Sequence, residues 1–144
     1  MAHAIFVAEA VRRQLSVEAY SAGVYDFTDL PPVSDTIRTC LNHNTPPPKA
    51  ESTWVRDLPL GSIDRFLVME EQHAEVLIHE FGVSPERVTL LGEFDPYGRG
   101  REIDDPIGHS SLVYEECYGQ IRGCIVNYLD SKEELSAAAT PRQS

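Results

Sequence analysis

The sequence has few basic residues and no long apolar run. Its 144 residues include 12 Lys and Arg against 23 Asp and Glu, which gives a formal net charge of −11 at pH 7. Such a charge disfavours binding to nucleic acid and anionic membranes, because both bind clustered Lys and Arg side chains. No apolar run approaches the roughly 20 residues that span a bilayer. We therefore expect neither nucleic acid nor a membrane as a partner.

Cysteine is also scarce. Cys40, Cys117 and Cys124 cannot all form disulfides, and no segment of the type that directs secretion precedes the first helical pattern. We interpret the compartment as reducing and cytoplasmic. Cys40 and His43 lie close together in the sequence, but no second pair of ligands follows at zinc spacing. We expect no metal ion and no cofactor.

The order of apolar patterns predicts alternating helices and strands. Apolar residues at steps of three and four indicate helices, whereas short unbroken apolar runs are typical of strands that are covered on both faces. The predicted elements, in order, are a helix with Ile5, Ala8, Val11 and Leu15 on its apolar face, a strand at residues 17–20, a helix that opens at Pro31, a strand at residues 66–69, a helix that ends at Gly82, a strand at residues 88–91, and a last helix whose core face carries Tyr114, Cys117, Ile121, Cys124 and Tyr128.

This alternation predicts a three-layer α/β domain with a parallel sheet, because strands joined through helices pair in parallel. The length suits one core. We place the domain at residues 1–130 and a flexible tail at residues 131–144. In such a fold, the ligand site lies at the carboxyl ends of the strands.

Several short segments, spread over nearly the whole chain, carry a resemblance to a known family. They are Ala2-His3-Ala4-Ile5-Phe6, Tyr20-Ser21-Ala22-Gly23, Asp64-Arg65-Phe66-Leu67-Val68-Met69, Leu90-Leu91-Gly92-Glu93-Phe94-Asp95-Pro96, Ile103-Asp104-Asp105-Pro106 and residues 114–117. In this order and spacing they resemble the low-molecular-weight protein-tyrosine-phosphatase family. The resemblance implies a four-stranded parallel sheet flanked by helices, with the family's first strand at its centre. It also implies hydrolysis of phosphoprotein monoesters through a cysteinyl-phosphate.

The family's nucleophile and phosphate site belong to a loop of the form Cys-x5-Arg-Ser/Thr, which precedes the first helix in its members. Pro46, Gly123 and Asp130 stand six residues beyond the three cysteines, so no cysteine here has arginine at that spacing. We expect that the sequence starts late, that the central first strand and the loop are missing, and that the chain as given is inactive. The same loss predicts marginal stability and self-association through strand edges around Ala19 and Val68.

Asp105 is the candidate catalytic residue. An Asp-Pro pair in an acidic protein is usually a turn, but the resemblance places Asp105 at the position of the family's general acid. That acid protonates the departing phenolate oxygen and then helps to activate water. Asp95-Pro96 has the same dipeptide at a family position away from the chemistry, and we interpret it as a structural turn.

Two further residues acquire roles from the resemblance. Phe27 occupies a position where family members often carry an aromatic wall of the substrate slot, and ordinary core packing is the alternative. Ser21 matches a serine that supports the phosphate loop, although a serine at a strand end is more often a turn residue. Many members carry two tyrosines after the Asp-Pro pair, but this chain has Ile107 and Gly108. Phosphotyrosine specificity is therefore open, and an arginine-phosphatase-like parent is an alternative.

Three hypotheses about function remain. The first is a phosphatase that acts on a phosphorylated protein or a small phosphomonoester when its catalytic loop is present. The second is a non-catalytic product, either a pseudophosphatase that binds a partner or an unstable remnant. The third is an unrelated acidic interaction module, which would lack a parallel sheet.

Overall fold

The computed structural model describes residues 1–25, 34–48 and 52–139. Short 3-10 turns at Val55–Asp57, Leu60–Ser62, Pro85–Arg87 and Leu91–Phe94 lie between the longer elements. Within the described residues, no helix has both the length and the apolar character needed to cross a membrane. The main elements, in chain order, are α1 (Ala2–Arg12), α2 (Ser34–Asn42), β1 (Phe66–Val68), α3 (Glu71–His79), β2 (Val88–Leu90) and α4 (Ser111–Ala139).

The two strands form a parallel pair, as the sequence predicted. Phe66 lies opposite Val88 and Val68 opposite Leu90, with α3 in the connection between the strands. Successive side chains of a strand point to opposite faces. Phe66 and Val68 accordingly join one apolar cluster with Leu77 of α3, whereas Leu67 packs against the other cluster. The sheet therefore separates two cores, and the predicted three-layer α/β architecture is confirmed.

Helix α4 provides most of the apolar cluster against which Leu67 packs. The five residues predicted for its inner face are all buried. Four of them, all except Tyr114, pack in the cluster that contains Ala4 and Ile5 of α1 and Cys40 of α2. The helix continues to Ala139 rather than ending near residue 130. Its extension is tied to α1, because Arg13 binds Asp130 at 2.8 Å and Glu133 at 3.3 Å. The helical part of the chain therefore extends beyond the domain boundary that we placed at residue 130.

The strand predicted at residues 17–20 is not formed. Val17 and Tyr20 are 50% and 46% exposed, and no backbone hydrogen bond within the described residues involves this segment. A strand exists only where a partner satisfies its backbone groups. In the fold implied by the resemblance, the partner of this segment is the family's first strand, and the described residues contain no such strand. Further along, Gly23 forms a single parallel bridge with Trp54.

The inner face of α1 also differs from the prediction. Val11 is 72% exposed, whereas Glu9 is only 6% exposed. Burial of a carboxylate is costly unless opposite charges satisfy it. Glu9 has three such partners, with Arg12 at 2.7 Å, Arg13 at 3.2 Å and Arg122 of α4 at 3.6 Å. The apolar periodicity therefore identified Ile5 correctly but was wrong for Val11, because the buried face turns toward Glu9.

Two glycines have backbone roles. Gly82 follows α3 with φ of +68°, which confirms the predicted left-handed end of that helix. Gly92 lies in the turn after β2, where a Cβ atom would collide with the carbonyl oxygen of Arg101. The absence of a side chain at Gly92 therefore allows residues 100 and 101 to pack directly against the end of the strand.

We predict that Gly92→Ala destabilises the protein by about 1–3 kcal/mol, since the new methyl group must displace backbone atoms. Gly61→Ala is the matched control, because a Cβ at Gly61 meets nothing within 4 Å. We expect the control to stay within about 0.5 kcal/mol of the wild type. Urea unfolding of the three proteins measures the difference, and equal midpoints for both variants would contradict the packing argument.

Candidate active site

The loop that carries Asp105 is fixed at the carboxyl end of β1. The backbone N–H of Ile103 donates to the carbonyl oxygen of Met69, the residue after β1, at 2.9 Å. The Ile103 side chain is 3% exposed and packs in the cluster that contains Ala4 and Ile5 of α1. This contact places the loop between the end of the sheet and the first turns of α1. The location agrees with the rule that ligand sites lie at the carboxyl ends of parallel strands.

The carboxylate of Asp105 is exposed, but a backbone hydrogen bond holds it in place. Its Oδ1 accepts a hydrogen bond from the N–H of Ile107 at 3.0 Å. On the preceding residue, the carbonyl oxygen of Asp104 accepts a weak hydrogen bond from Cys117 Sγ at 3.8 Å. No hydrogen bond to Oδ2 occurs within the described part of the chain. One oxygen therefore fixes the carboxylate, and the other has no hydrogen-bond partner among the described residues.

The electrostatics of nearby groups show what surrounds this loop. Burial raises the pKa of Cys117, and the charges of Asp105 and Asp104 raise it further, whereas the amino terminus at Met1 lowers it. Burial likewise raises the pKa of Tyr114, with smaller contributions from Asp35 and Asp105. The start of α1, the first turns of α4 and the Asp105 loop therefore meet in one region.

The start of α1 has the character of an anion site. Met1 makes no side-chain capping hydrogen bond, and the first turn contains no acidic residue. The first amides of a helix point outward and carry partial positive charge, so this end favours an anion. His3 Nδ1 lies 2.9 Å from Ser21 Oγ. Ser21 is thus beside the first turn of α1.

Phe27, the predicted wall of the substrate slot, lies outside the described residues, and its role stays a prediction. The role of Ser21 in support of a phosphate loop also stays a prediction. No group of three His, Cys, Asp or Glu side chains within residues 1–25, 34–48 and 52–139 could hold a metal ion.

The three cysteines do not have the environment of a nucleophile. Cys40 and Cys124 are completely buried, and Cys117 is 8% exposed. Burial raises the pKa of all three thiols, and that of Cys124 rises to about 11. A catalytic cysteine needs the opposite shift, since the thiolate is the reactive form. These side chains therefore contribute apolar packing.

Asp95, the other Asp-Pro aspartate, is a structural group. Its carboxylate has no exposed area and accepts hydrogen bonds from the N–H groups of Tyr97 and Arg99 at 3.0 and 3.2 Å. The Arg99 guanidinium at 2.9 Å lowers the pKa of Asp95, although burial acts in the opposite direction. The structure therefore agrees with the structural role that the sequence predicted for Asp95-Pro96.

Two charged residues before the Asp105 loop contribute to its placement, and the sequence analysis missed them. Glu102 Oε2 accepts the N–H of Glu71, the first residue of α3, at 2.9 Å. Arg101 binds Glu71 at 3.1 Å and Glu93 at 2.8 Å. The available signal was the presence of acidic residues at 93 and 102 and a basic residue at 101. These residues follow no helical or strand period.

Together, these features define a three-layer α/β domain with an acidic loop and an uncapped helix start at the carboxyl end of a parallel strand. A profile of the low molecular weight phosphotyrosine protein phosphatase family matches residues 1–139. The chain belongs to this family, as the resemblance implied.

Individual relatives agree with this assignment. A protein-arginine-phosphatase of Bacillus subtilis is 27% identical over 116 residues, which cover 81% of this chain and 76% of that protein. A low molecular weight protein tyrosine phosphatase from T. tengcongensis superposes with a TM-score of 0.81 at 22% identity, over 90% of this chain and 88% of that one. An arginine phosphatase from Geobacillus stearothermophilus gives 0.80 at 18% identity, over 99% and 89% of the two chains. The two structures share the fold of this protein.

We predict that the contribution of Asp95 to stability is lost in acid. Its pKa in the folded state is lowered, so the unfolded chain binds the proton first as pH falls below about 4. Asp95→Asn should therefore melt below the wild type at pH 7, and the gap in Tm should narrow between about pH 5 and 3. Asp57→Asn, at an exposed carboxylate, is the control. A gap that stays constant with pH would contradict the charge argument.

Proposed function

We propose that this protein functions in the hydrolysis of phosphorylated protein side chains, with Asp105 as the general acid. The observation that supports this most is the position of Asp105, on a fixed loop at the carboxyl end of β1 and beside the start of α1. Membership in the phosphatase family supplies the reaction class. A small phosphomonoester is an alternative substrate for the same chemistry.

The roles follow from the charges. The amides at the start of α1 would face the phosphoryl oxygens, which favours a bound phosphate. The free oxygen of Asp105 would protonate the leaving group, which for phosphotyrosine is a phenolate whose conjugate acid has a pKa of about 10. Asp105 would then accept a proton from the water that attacks the cysteinyl-phosphate. The nucleophile must be a thiolate with a lowered pKa, held with an arginine against the phosphate.

None of the 144 residues fits that last role. No cysteine is followed by arginine at the family's spacing, and all three thiols are buried with raised pKa values. We therefore propose that the 144-residue polypeptide alone does not turn over phosphomonoesters. As a separate polypeptide it would be a non-catalytic member of the family.

Phosphoarginine is a second candidate for the substrate, and Ile107 favours it. Ile107 is 57% exposed, and its backbone N–H holds Asp105 at 3.0 Å. An aliphatic residue beside the acid suits the alkyl stem of arginine, whereas an aromatic residue would stack on a phenyl ring. The Bacillus subtilis relative that is 27% identical is a protein-arginine-phosphatase.

To test the general acid, a family first strand and Cys-x5-Arg-Ser-Pro loop can be joined before Met1. We expect the joined protein to hydrolyse both phenyl phosphate and p-nitrophenyl phosphate, and the 144-residue polypeptide to hydrolyse neither. Asp105→Asn should lower kcat/KM for phenyl phosphate by about 10²- to 10⁴-fold, because kcat/KM reports the step in which the leaving group departs. The loss should be smaller for p-nitrophenyl phosphate, because its leaving group stabilises negative charge without a proton.

Asp104→Asn is the matched control, since Asp104 is the exposed neighbour of Asp105 and contributes to the loop through its backbone. We expect the control to retain activity on both substrates. Equal losses on the two substrates for Asp105→Asn would show a structural role instead of an acid. Turnover by the 144-residue polypeptide would contradict its proposed inactivity.

The substrate class can be tested with the same joined protein. We predict a higher kcat/KM for a peptide with phosphoarginine than for the same peptide with phosphotyrosine. Ile107→Tyr should shift the preference roughly fivefold toward phosphotyrosine, because the ring adds a stacking surface worth about 1 kcal/mol. Release of phosphate from the two peptides measures the ratio. An unchanged ratio in Ile107→Tyr would remove Ile107 from the substrate site.

A further inference from the structure

Within the described residues, β2 has no strand on its outer edge. β2 pairs with β1 along one side only, in the register that joins Leu67 and Thr89. In a parallel pair, alternate residues direct their backbone N–H and C=O groups to the partner strand, and the others direct them away from it. Within the described residues, the backbone N–H of Val88 donates to the carbonyl oxygen of Pro85, and the loop and turn hydrogen bonds include no other contact to Val88–Leu90. Such an edge is a template for another strand.

A groove follows this edge. It has a volume of about 290 Å³ and contacts all three residues of β2 as well as one side of α3. Since successive strand residues face opposite sides of the sheet, a groove that touches all three lies along the edge. We call it the β2 groove, and its lining residues are Glu71, Ala74, Glu75, Ile78, Val88, Thr89, Leu90, Glu93 and Arg101.

The β2 groove has an apolar floor and an acidic rim. Ala74 and Ile78 of α3 lie beside Val88 and Leu90, and this combination suits aliphatic side chains. The rim carries three carboxylates against the single guanidinium of Arg101, which binds two of them, Glu71 and Glu93. Glu75 is exposed and has no ion pair within the described residues. The rim therefore retains net negative charge.

We propose that the β2 groove binds an extended, basic segment of another protein, which adds to β2 as a strand. Backbone groups of the segment would pair with the open edge, aliphatic side chains would contact the floor, and Lys or Arg side chains would face the rim. A second copy of this chain fits less well, because two acidic rims would face each other. The proposal goes beyond the proposed function and does not depend on Asp105.

The probe is a fluorescent peptide, Lys-Val-Lys-Val-Lys-Val-Lys, titrated with the 144-residue chain and followed by anisotropy. We expect saturable binding that weakens when salt rises from about 50 to about 300 mM, because exposed charges are screened. A peptide with Glu in place of Lys should not bind. A peptide that is N-methylated at alternate backbone nitrogens should also lose binding, because it retains the charge but cannot pair as a strand.

Two variants locate the site. Glu75→Lys should weaken binding by at least about fivefold, because it places a like charge against the peptide. Glu80→Lys makes the same change just beyond the end of α3 and outside the groove, so its affinity should match the wild type. Glu75→Gln, which removes the charge with less perturbation, should give an intermediate loss, and thermal melts establish that each variant is folded.

The amide signals of Val88, Thr89 and Leu90 report the contact directly, since strand addition should shift them on titration. Equal binding of the N-methylated peptide, or equal losses from Glu75→Lys and Glu80→Lys, would overturn the proposal in favour of non-specific charge attraction. Concentration-dependent association of the chain that shifts the same amides and excludes the peptide would assign the edge to a second copy. Failure of peptide binding would leave the phosphatase assignment intact, because that assignment is tested by turnover.

Discussion

The contact between Gly92 and the backbone of residues 100 and 101 is the constraint on which the Asp105 loop depends. It allows the long connection between β2 and α4 to return across the ends of both strands. Ile103 can then donate its N–H to Met69 and bury its side chain against α1. Asp105 stands two residues further on, so its position is set by strand ends and packed backbone, even though its own side chain is exposed.

The ends and the outer edge of the sheet carry two surfaces with different charges. At the carboxyl end of β1, an uncapped helix start lies near the carboxylate of Asp105. At the outer edge of β2, the carboxylates of the β2 groove surround a strand with no described partner. The first surface combines the exposed amides of a helix start, which favour an anion, with the carboxylate of the proposed general acid. The second attracts cations and extended backbone, so the two surfaces favour different ligands.

Elements with a buried, periodic face were predictable from the sequence. The inner residues of α4 were identified correctly, and so was the parallel pairing of 66–68 with 88–90, because apolar runs of that length need cover on both faces. Residues 17–20 were predicted incorrectly, since a strand depends on a partner that the segment itself does not reveal. Glu9 is buried with three arginine partners, and one of them, Arg122, lies more than a hundred residues away in the sequence. The Asp105 loop has no periodicity, so only the family resemblance located it.

The chemistry of the family requires two ionisable groups at one helix end, one that keeps its proton and one that loses it. The acid must hold a proton until the leaving group departs, and the nucleophile must lose its proton before the substrate arrives. The fold described here fixes the loop of Asp105, the proposed acid, through Ile103, Gly92 and the ends of the strands. It works against the nucleophile half for every cysteine in the chain, because each thiol lies in the core, where burial favours the protonated form. The start of a helix has the opposite effect, because its exposed amides stabilise a nearby anion.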